Sequence, residues 1–590
     1  MSVATASQPL AGIRRLTIPS PASVWQFIVF LVVLFAVVTP LLFLVLGSFS
    51  EARLPAEFSF SRLGLSNYIK VWGDPATYAV VSNTLWFALG STLYGIAIAA
   101  TLAWLVERTN IPGKIWIYAG VPMTLAIPGM LQAMAWVLLA SPRIGFINKG
   151  LIDVFGLSSA PFNIYTLPGM IFIEGLRMVP TAFLMLVPLL RSMDPSLEEA
   201  AAMSGARPAS ALRKVTLGLM LPGILAVTIY QFTSALEQFE VPGILGLPAN
   251  IFVFSTKIYA ALHGTSSLPA YGEANALAML YLFVAVLSIY AYSRVIAKSE
   301  RFTVITGKGY RPRLLQLGRW RWPAFGLVLT YLALSTIIPF LVLAYASFLP
   351  YLQAPSARAF AAMSWDNYIT VIHTDRIGRT LWNTVVMTMT VAGSVVVISF
   401  LISIVVVRSK FWGRRLLDQL AFVPHAIPGM VMGLALLWVF LQIDKLGTGL
   451  FGSLTSLIIG FTIGYMSYGT RVMNAAVLQV HKDLEEAAKV SGAPQWRVFW
   501  RVFFPLLQPA FVGVFIWTVL HVVRSAGKPL ILTSGAENEV LAVLIWNMWD
   551  QGSIEGAAAI GTLLMLALLA ISLVVRQFGF GRGAHIQEAR

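Results

Sequence analysis

The sequence predicts an all-α polytopic membrane protein: twelve transmembrane helices arranged as two parallel six-helix repeats. Three observations carry this reading. The 590 residues are 58% hydrophobic and only 11% charged, with a mean hydropathy of +0.78; a soluble domain carries about 25% charged residues. Apolar stretches of about 20 residues recur, long enough to cross a hydrocarbon core as helices, and the strict alternation of a membrane β-barrel is absent. Short motifs also return at fixed offsets, so the chain reads as an internal duplication.

The elements follow in order. Arg14 and Arg15 precede an apolar run over 24–47 that is too long for a signal-peptide core and has no convincing cleavage site after it, so it reads as a retained first span. The first-half spans are expected near 24–48, 80–106, 115–140, 164–190, 220–245 and 274–297. Those of the second half are expected near 323–348, 381–407, 416–441, 453–478, 508–533 and 557–577. The domains are therefore a first repeat over 1–297, a basic linker over 298–322 and a second repeat over 323–590. The chain has no cysteine, which removes disulfides, thiolate metal sites and cysteine nucleophiles.

An even number of spans puts both termini on one side. The joining segment carries Arg294, Lys298, Arg301, Lys308, Arg311, Arg313, Arg319 and Arg321, and with both termini cytoplasmic most of the 41 Lys and Arg fall in cytoplasmic segments. The net charge of +16 is then a topology signal met by anionic headgroups rather than by nucleic acid. Trp25, Trp72, Trp116, Trp320, Trp322 and Trp412 lie near span ends, as an interfacial belt does.

"NYIKV" at Asn67 answers "NYITV" at Asn367, "NTL" at Asn83 answers "NTV" at Asn383, and "AIPGM" recurs at Ala126 and Ala426, all offset by 300. "LEEAAAMSGA" at Leu197 and "LEEAAKVSGA" at Leu484 are offset by 287. About 13 residues are thus missing from the second half, and the loop near 141–163 is the expected place. Six spans per half make the repeats parallel, related by an axis along the membrane normal.

Each polar decapeptide falls between the fourth and fifth spans of its half. Ser196 with Glu199, and Asp483 with Glu486, have capping-box spacing, so each is expected to begin a short helix. Gly205 and Gly492 would end it or turn it into another. A solvated connecting loop would drift more than the spans, yet these are the most alike segments of the chain.

Glu-Ala-Ala, then Gly, then an apolar-x-Leu-Pro tail resembles the EAA loop of ABC importer permeases of type I. The second half matches at Glu486, Ala487, Ala488, Gly492, Val502 and Pro505. The first matches at Glu199, Ala200, Ala201, Gly205, Val215 and Leu217 and departs at Gly218, where the family usually has proline; Pro222, the counterpart of Pro509, takes that place at the start of the span. The resemblance implies loops over about 195–222 and 482–509 that form coupling helices docking on two ATP-binding subunits. It implies a periplasmic or lipid-anchored solute-binding protein as a further partner, and ATP and Mg on the partner subunits, with no cofactor or metal on this chain. It also implies import by alternating access across a bacterial inner membrane. With "AIPGM" and "FEVPGILG" in one fused chain, it is most like the ferric-iron class; related classes carry polyamines, thiamine, phosphonates or sugar phosphates. The ferric class often has an acidic residue just after the arginine of the second half. Ser525 stands here, with Lys528 nearby, which leaves room for a small anionic solute such as a sugar phosphate or phosphonate.

Ionisable residues inside spans are pathway candidates. Glu174 and Arg177, three apart, are placed to pair on one helix face. Glu237 and Arg524 occupy the same position of the repeat, 15 residues after Pro222 and Pro509. A two-fold axis would set acid opposite base, and these two read as an outer gate that Glu240 and Lys528 extend. The alternative is four charged heads snorkelling at the membrane surface. His263, His373, His425 and His521 are scattered and read as loop or packing residues. A secondary transporter would also accommodate twelve spans, but it gives no reason for a duplicated surface motif. No nucleophile motif or Gly-rich phosphate loop is present, so the chain reads as a transport subunit rather than an enzyme, with ATP hydrolysed by another chain.

Overall fold

The computed structural model describes residues 21–192, 200–201, 203–205, 210, 217–264, 269–299 and 314–584. Among them there is no β-strand, only three isolated bridges, and almost all regular structure is α-helix. Nine helices among the described residues are long and apolar enough to cross a membrane, or eleven if two bent pairs each count as one span. The place of the tenth expected span is taken by Leu454–Gln479, which corresponds at the offset of 287 to Leu167–Ser192. Its Gly, Ser, Thr and Tyr content lowers its hydropathy, and the helix packs largely against protein: twelve of its 26 residues, between Ser456 and Val477, are buried.

Two expected spans are not straight. The third is Lys114–Ala126 followed by Gly129–Ala140 at 93°, and the ninth is Arg414–Ala426 followed by Gly429–Asp444 at 110°. The repeated "AIPGM" is the corner. Ile127 and Ile427 are extended, as residues before proline are, and Pro128 and Pro428 are extended as well. A new helix then begins at Gly129 or Gly429. All twelve residues of Gly129–Ala140 are buried, as are Met430 to Phe440 of Gly429–Asp444. These two helices form the centre of the molecule. The fifth and eleventh spans are also shorter than expected: they stop at Leu236 and Arg524, and each continues as a short buried helix, Glu240–Leu245 and Gly527–Leu532.

The other repeated motifs hold the same joints in both halves. The side chain of Asn67 donates to the carbonyls of Ser48 and Ser50, and that of Asn367 to those of Ser347 and Leu349. Tyr68 and Tyr368 pair through their hydroxyls with Ser48 and Ser347. Asn83 donates to Phe252, and Asn383 to Glu537 and Glu539; next to them Thr84 and Thr384 accept from the N–H of Phe254 and Leu541. Each pair therefore fixes where the chain re-enters the core after the fifth or eleventh span. The extra residues of the first half include the helix Phe146–Phe155, which has no counterpart between Asp444 and Leu454.

The repeats exchange their first spans. Pro21–Phe49 packs on Tyr271–Ser299 of its own repeat but also along Arg414–Phe422 and Gly429–Asp444 of the other. Ile338–Ser347 packs on Ile554–Ala584 and on Gly129–Ala140. The end of the linker is tied in as well: Leu315 bridges Thr109, and Asn110 bonds Gln316 and the N–H of Leu317.

Candidate functional site

Two constellations stand out, one at the centre and one on the surface. The central one collects all six charged pathway candidates around the two "AIPGM" corners. Three are acids (Glu174, Glu237, Glu240) and three are bases (Arg177, Arg524, Lys528). Arg177 forms a two-pronged ion pair with Glu174, at 2.9 and 2.5 Å, and Gln238 donates to the same carboxylate at 3.3 Å. Glu174 is fully buried.

Both buried helices begin against a carboxylate from one loop. Glu240 accepts from the N–H of Ala526 and its carboxylate lies against Gly129, while Glu237 comes near Gly429. Helix N-termini carry unpaired N–H groups and a partial positive charge, so an anion there is favourable. A cation stands beside each carboxylate. Arg177 faces Glu240 over Gly129, where a Cβ would lie 2.7 Å from the Glu240 carboxylate and 3.0 Å from Arg177. Lys528 faces Glu237 beside Gly429.

The expected opposition of Glu237 and Arg524 is not what the structure shows. Among the described residues no ion pair within 4.0 Å joins any of these four charges: Arg524 donates to the carbonyl of Leu125 at 2.7 Å and feels Glu240 most among the acids, while Glu237 feels Lys528. The reason is the early end of the two spans. Beyond Leu236 and Arg524 the chain leaves the helix path, so equal sequence positions no longer face each other. Nor does Lys528 snorkel: it is 8% exposed, with its ammonium over the rings of Phe461 and Tyr465 at 5.2 and 4.9 Å. Access is graded, since Glu237 is exposed, Glu240, Arg177 and Arg524 are half-buried, and Glu174 and Lys528 are buried.

The surface constellation is the pair of decapeptides. Glu199 and Ser196 lie outside the described residues; Ala200, Ala201 and Gly205 lie within them. In the second repeat the helix Lys482–Val490 carries Glu486, Ala487 and Ala488. Asp483 is not its cap: the helix starts one residue earlier, and Asp483 turns back to His481 at 3.1 Å. Gly492, at φ +73°, ends the helix, and the N–H of Ala493 returns to the carbonyl of Ala488, the hydrogen bond of a left-handed C-terminal stop. Gly205 has φ +80°. The stop is built alike in both copies: Ser204 sends its N–H and its hydroxyl to the carbonyl of Ala200, and Ser491 sends both to Ala487. Pro222 and Pro509 lie inside the helices that follow, and Pro505 lies in the first turn of its helix after a π-turn over Phe499–Phe503.

Sequence reasoning missed one feature of these knobs. Met203 and Val490 occupy the same position of the repeat and are 89% and 90% exposed. An apolar residue just before Ser-Gly in both decapeptides was the available signal. No group of three or more His, Asp or Glu among the described residues is placed to hold a metal ion.

A charged centre between two half-spans and two matched exposed knobs define a multi-span permease. The chain belongs to the family of binding-protein-dependent transport system inner membrane components, whose model matches residues 95–302 and 395–578. Such permeases are transport subunits of the inner membrane that work with a solute-binding protein and a separate ATP-hydrolysing subunit. Similar proteins include the ferric transport system permease protein FbpB of Actinobacillus pleuropneumoniae, 24% identical over 86% of this chain and 72% of the relative. The putative ferric transport system permease protein FbpB 1 of Haemophilus influenzae is 23% identical over 86% and 77%. A probable sulfate transport system permease protein, cysT of Chlorella vulgaris, is 30% identical over 31% of this chain and 72% of its own. Among solved structures, a bacterial ABC transporter involved in the import of the acidic polysaccharide alginate is similar over 47% of this chain and 99% of its own, with 16% identity and a TM-score of 0.37.

Proposed function

We propose that this chain is the membrane-spanning part of an ATP-driven importer that receives ferric iron from a solute-binding protein and releases it into the cytoplasm. The observation that carries the cargo is the similarity to two ferric permeases along 86% of the chain. In this reading both termini and both knobs are cytoplasmic, and the solute-binding protein is periplasmic or lipid-anchored. Two ATP-binding subunits, which hold ATP and Mg, dock on Glu199–Gly205 and Glu486–Gly492, with Met203 and Val490 as apolar contacts. Nucleotide closure acts through the two knobs because it favours one arrangement of the repeats over the other. The knobs lead through Pro222, Pro505 and Pro509 into the helices that end at the charged centre, and Glu174, Arg177, Glu237, Glu240, Arg524 and Lys528 serve as its gate.

A small anionic solute is the second reading. It is favoured by the buried Lys528 and by the similarity to a sulfate permease over part of the chain. Reconstitution with the ATP-binding subunits and the solute-binding protein tests both readings. ATP-dependent accumulation of radioactive ferric iron is expected; accumulation of sulfate or phosphate instead, with none of iron, would replace the first reading by the second.

A further inference from the structure

The two repeats differ where the fifth and eleventh spans meet the last helix of each half. In the first repeat Leu217–Leu236 packs along Tyr271–Ser299. Two aromatic side chains fill that joint. Phe254 and Tyr281 are fully buried and stack with ring centroids 5.2 Å apart, and the Tyr281 hydroxyl donates to the carbonyl of Leu236. In the second repeat no comparable packing joins Phe504–Arg524 to Ile554–Ala584. The neighbouring joint does recur: Asp375–Ser403 packs on Phe504–Arg524 as Pro75–Arg108 packs on Leu217–Leu236.

The residues account for the difference. At the offset of 287, Phe254 corresponds to Leu541 and Phe232 to Val519. The loop before the last helix is shorter in the second half, which brings the offset there to 283. Ala274 to Leu277 then answer Ala557 to Ile560, and Tyr281 answers Leu564. Three rings are thus replaced by smaller aliphatic side chains, and the hydroxyl that tied the two helices together is gone. Val519, Leu541 and Leu564 instead line an apolar crevice of about 320 Å³ between Asp375–Ser403, Phe504–Arg524 and Ile554–Ala584. Its floor is buried. Its mouth is formed by Val385, Met389 and Leu563, which are 49%, 50% and 43% exposed on apolar, membrane-length helices.

The mouth identifies the occupant, because it makes the crevice continuous with the lipid-facing surface. Water does not suit the site, since a buried water needs about two to four polar partners. The only side-chain hydroxyls on the lining are those of Thr384 and Thr388. Thr384 is engaged already: it donates to the carbonyl of Thr380 and accepts from the N–H of Leu541. That leaves Thr388 alone, buried and without a hydrogen-bond partner among the described residues. Apolar walls with nothing between them forfeit their dispersion contacts, and a hydrocarbon chain restores them. We propose that this crevice binds one acyl chain of a membrane phospholipid, which enters from the leaflet where Asp375–Ser403 begins and takes the place that Phe254 and Tyr281 fill in the first repeat. The chain supports the eleventh span, which ends at Arg524, from its lipid side. The site does not depend on which cargo is carried.

The test uses the full chain in nanodiscs doped with a phospholipid that bears a photoreactive diazirine on one acyl chain. Labelled positions are mapped by peptide mass spectrometry after illumination. Leu563, on the open surface, is the internal reference. In the wild type, label is expected at Leu563 and also on the floor at Thr388 and Leu568, which are 2% and 1% exposed, with none at Phe254 or Tyr281. Leu541→Phe/Leu564→Tyr rebuilds the aromatic pair of the first repeat. It is expected to lower the floor label about tenfold relative to Leu563, by filling the space. Should that protein not fold, as judged by its thermal unfolding, Val519→Phe fills the same space from the eleventh span with the same expected loss. Wild-type label confined to Leu563, or floor label that keeps its ratio to Leu563 in the filled protein, would overturn the proposal.

Discussion

The carboxylate of Glu240, in the first repeat, accepts a hydrogen bond at 3.3 Å from the backbone N–H of Ala526, in the second. The same carboxylate lies against Gly129, 2.7 Å from where a Cβ there would be. One side chain thus ties the loop after the eleventh span to the buried helix of the opposite repeat. Hydrogen bonds to a charged acceptor contribute about 1.5–3 kcal/mol each. Glu240→Ala is expected to loosen this contact between the repeats and raise basal ATP hydrolysis of the assembled complex about fivefold or more. Glu240→Gln, which can still accept, should change it far less. Identical basal rates in wild type and Glu240→Ala would exclude a latch at this position.

The Glu174–Arg177 pair makes a second prediction. With Glu174 fully buried, removing the cation alone strands a carboxylate. Arg177→Met should therefore cost about 3–5 kcal/mol, whereas Glu174→Gln/Arg177→Met should recover a large part of the loss. Thermal unfolding in detergent reads both, and additive losses would show that the pair is not coupled.

The knobs depend on their glycines for a different reason. A Cβ at Gly205 or Gly492 would meet nothing within 4 Å, so the cost of a side chain is purely that of φ +80° and φ +73°. Gly492→Ala should cost about 1–2 kcal/mol locally and weaken association with the ATP-binding subunit; Gly492→Asn, which tolerates this conformation better, should weaken it less. Co-purification titrations rank the three proteins.

Met203 and Val490 face solvent almost entirely in the isolated chain. Met203→Asp and Val490→Asp should leave its unfolding temperature unchanged while lowering affinity for the ATP-binding subunit about tenfold each. Unaltered affinity in both would remove them from the docking surface.

Much of this was legible in the sequence. Helix positions followed from apolar length, and the duplication from four repeated motifs, because both are local patterns. The six central charges could be singled out because an ionisable residue inside a span is rare. The Glu174–Arg177 pair could be read too, from its spacing of three on one helix; the neighbours of the other four could not, for they depend on two things that hydropathy hides. "AIPGM" turns a continuous apolar stretch through a right angle, and the fifth and eleventh spans stop short, so residues at equal repeat positions cease to be opposite. The placement of Lys528 was equally invisible: its ammonium lies over Phe461 and Tyr465 beside Gly464, the position that matches Arg177, although Lys528 comes from a different segment. The misplaced cap at Asp483 is a smaller case, since His481 competes for its carboxylate.

The exchange of first spans bears on how the molecule is made. Gly129–Ala140 is buried partly by Ile338–Ser347, a helix that emerges from the ribosome some two hundred residues later. Until then an early lobe has a bare flank in the bilayer, and the Pro21–Phe49 helix waits for a neighbour not yet translated. Joining both lobes in one polypeptide guarantees that each finds the correct mate at high local concentration, a service that two separately encoded halves would have to obtain by chance collision.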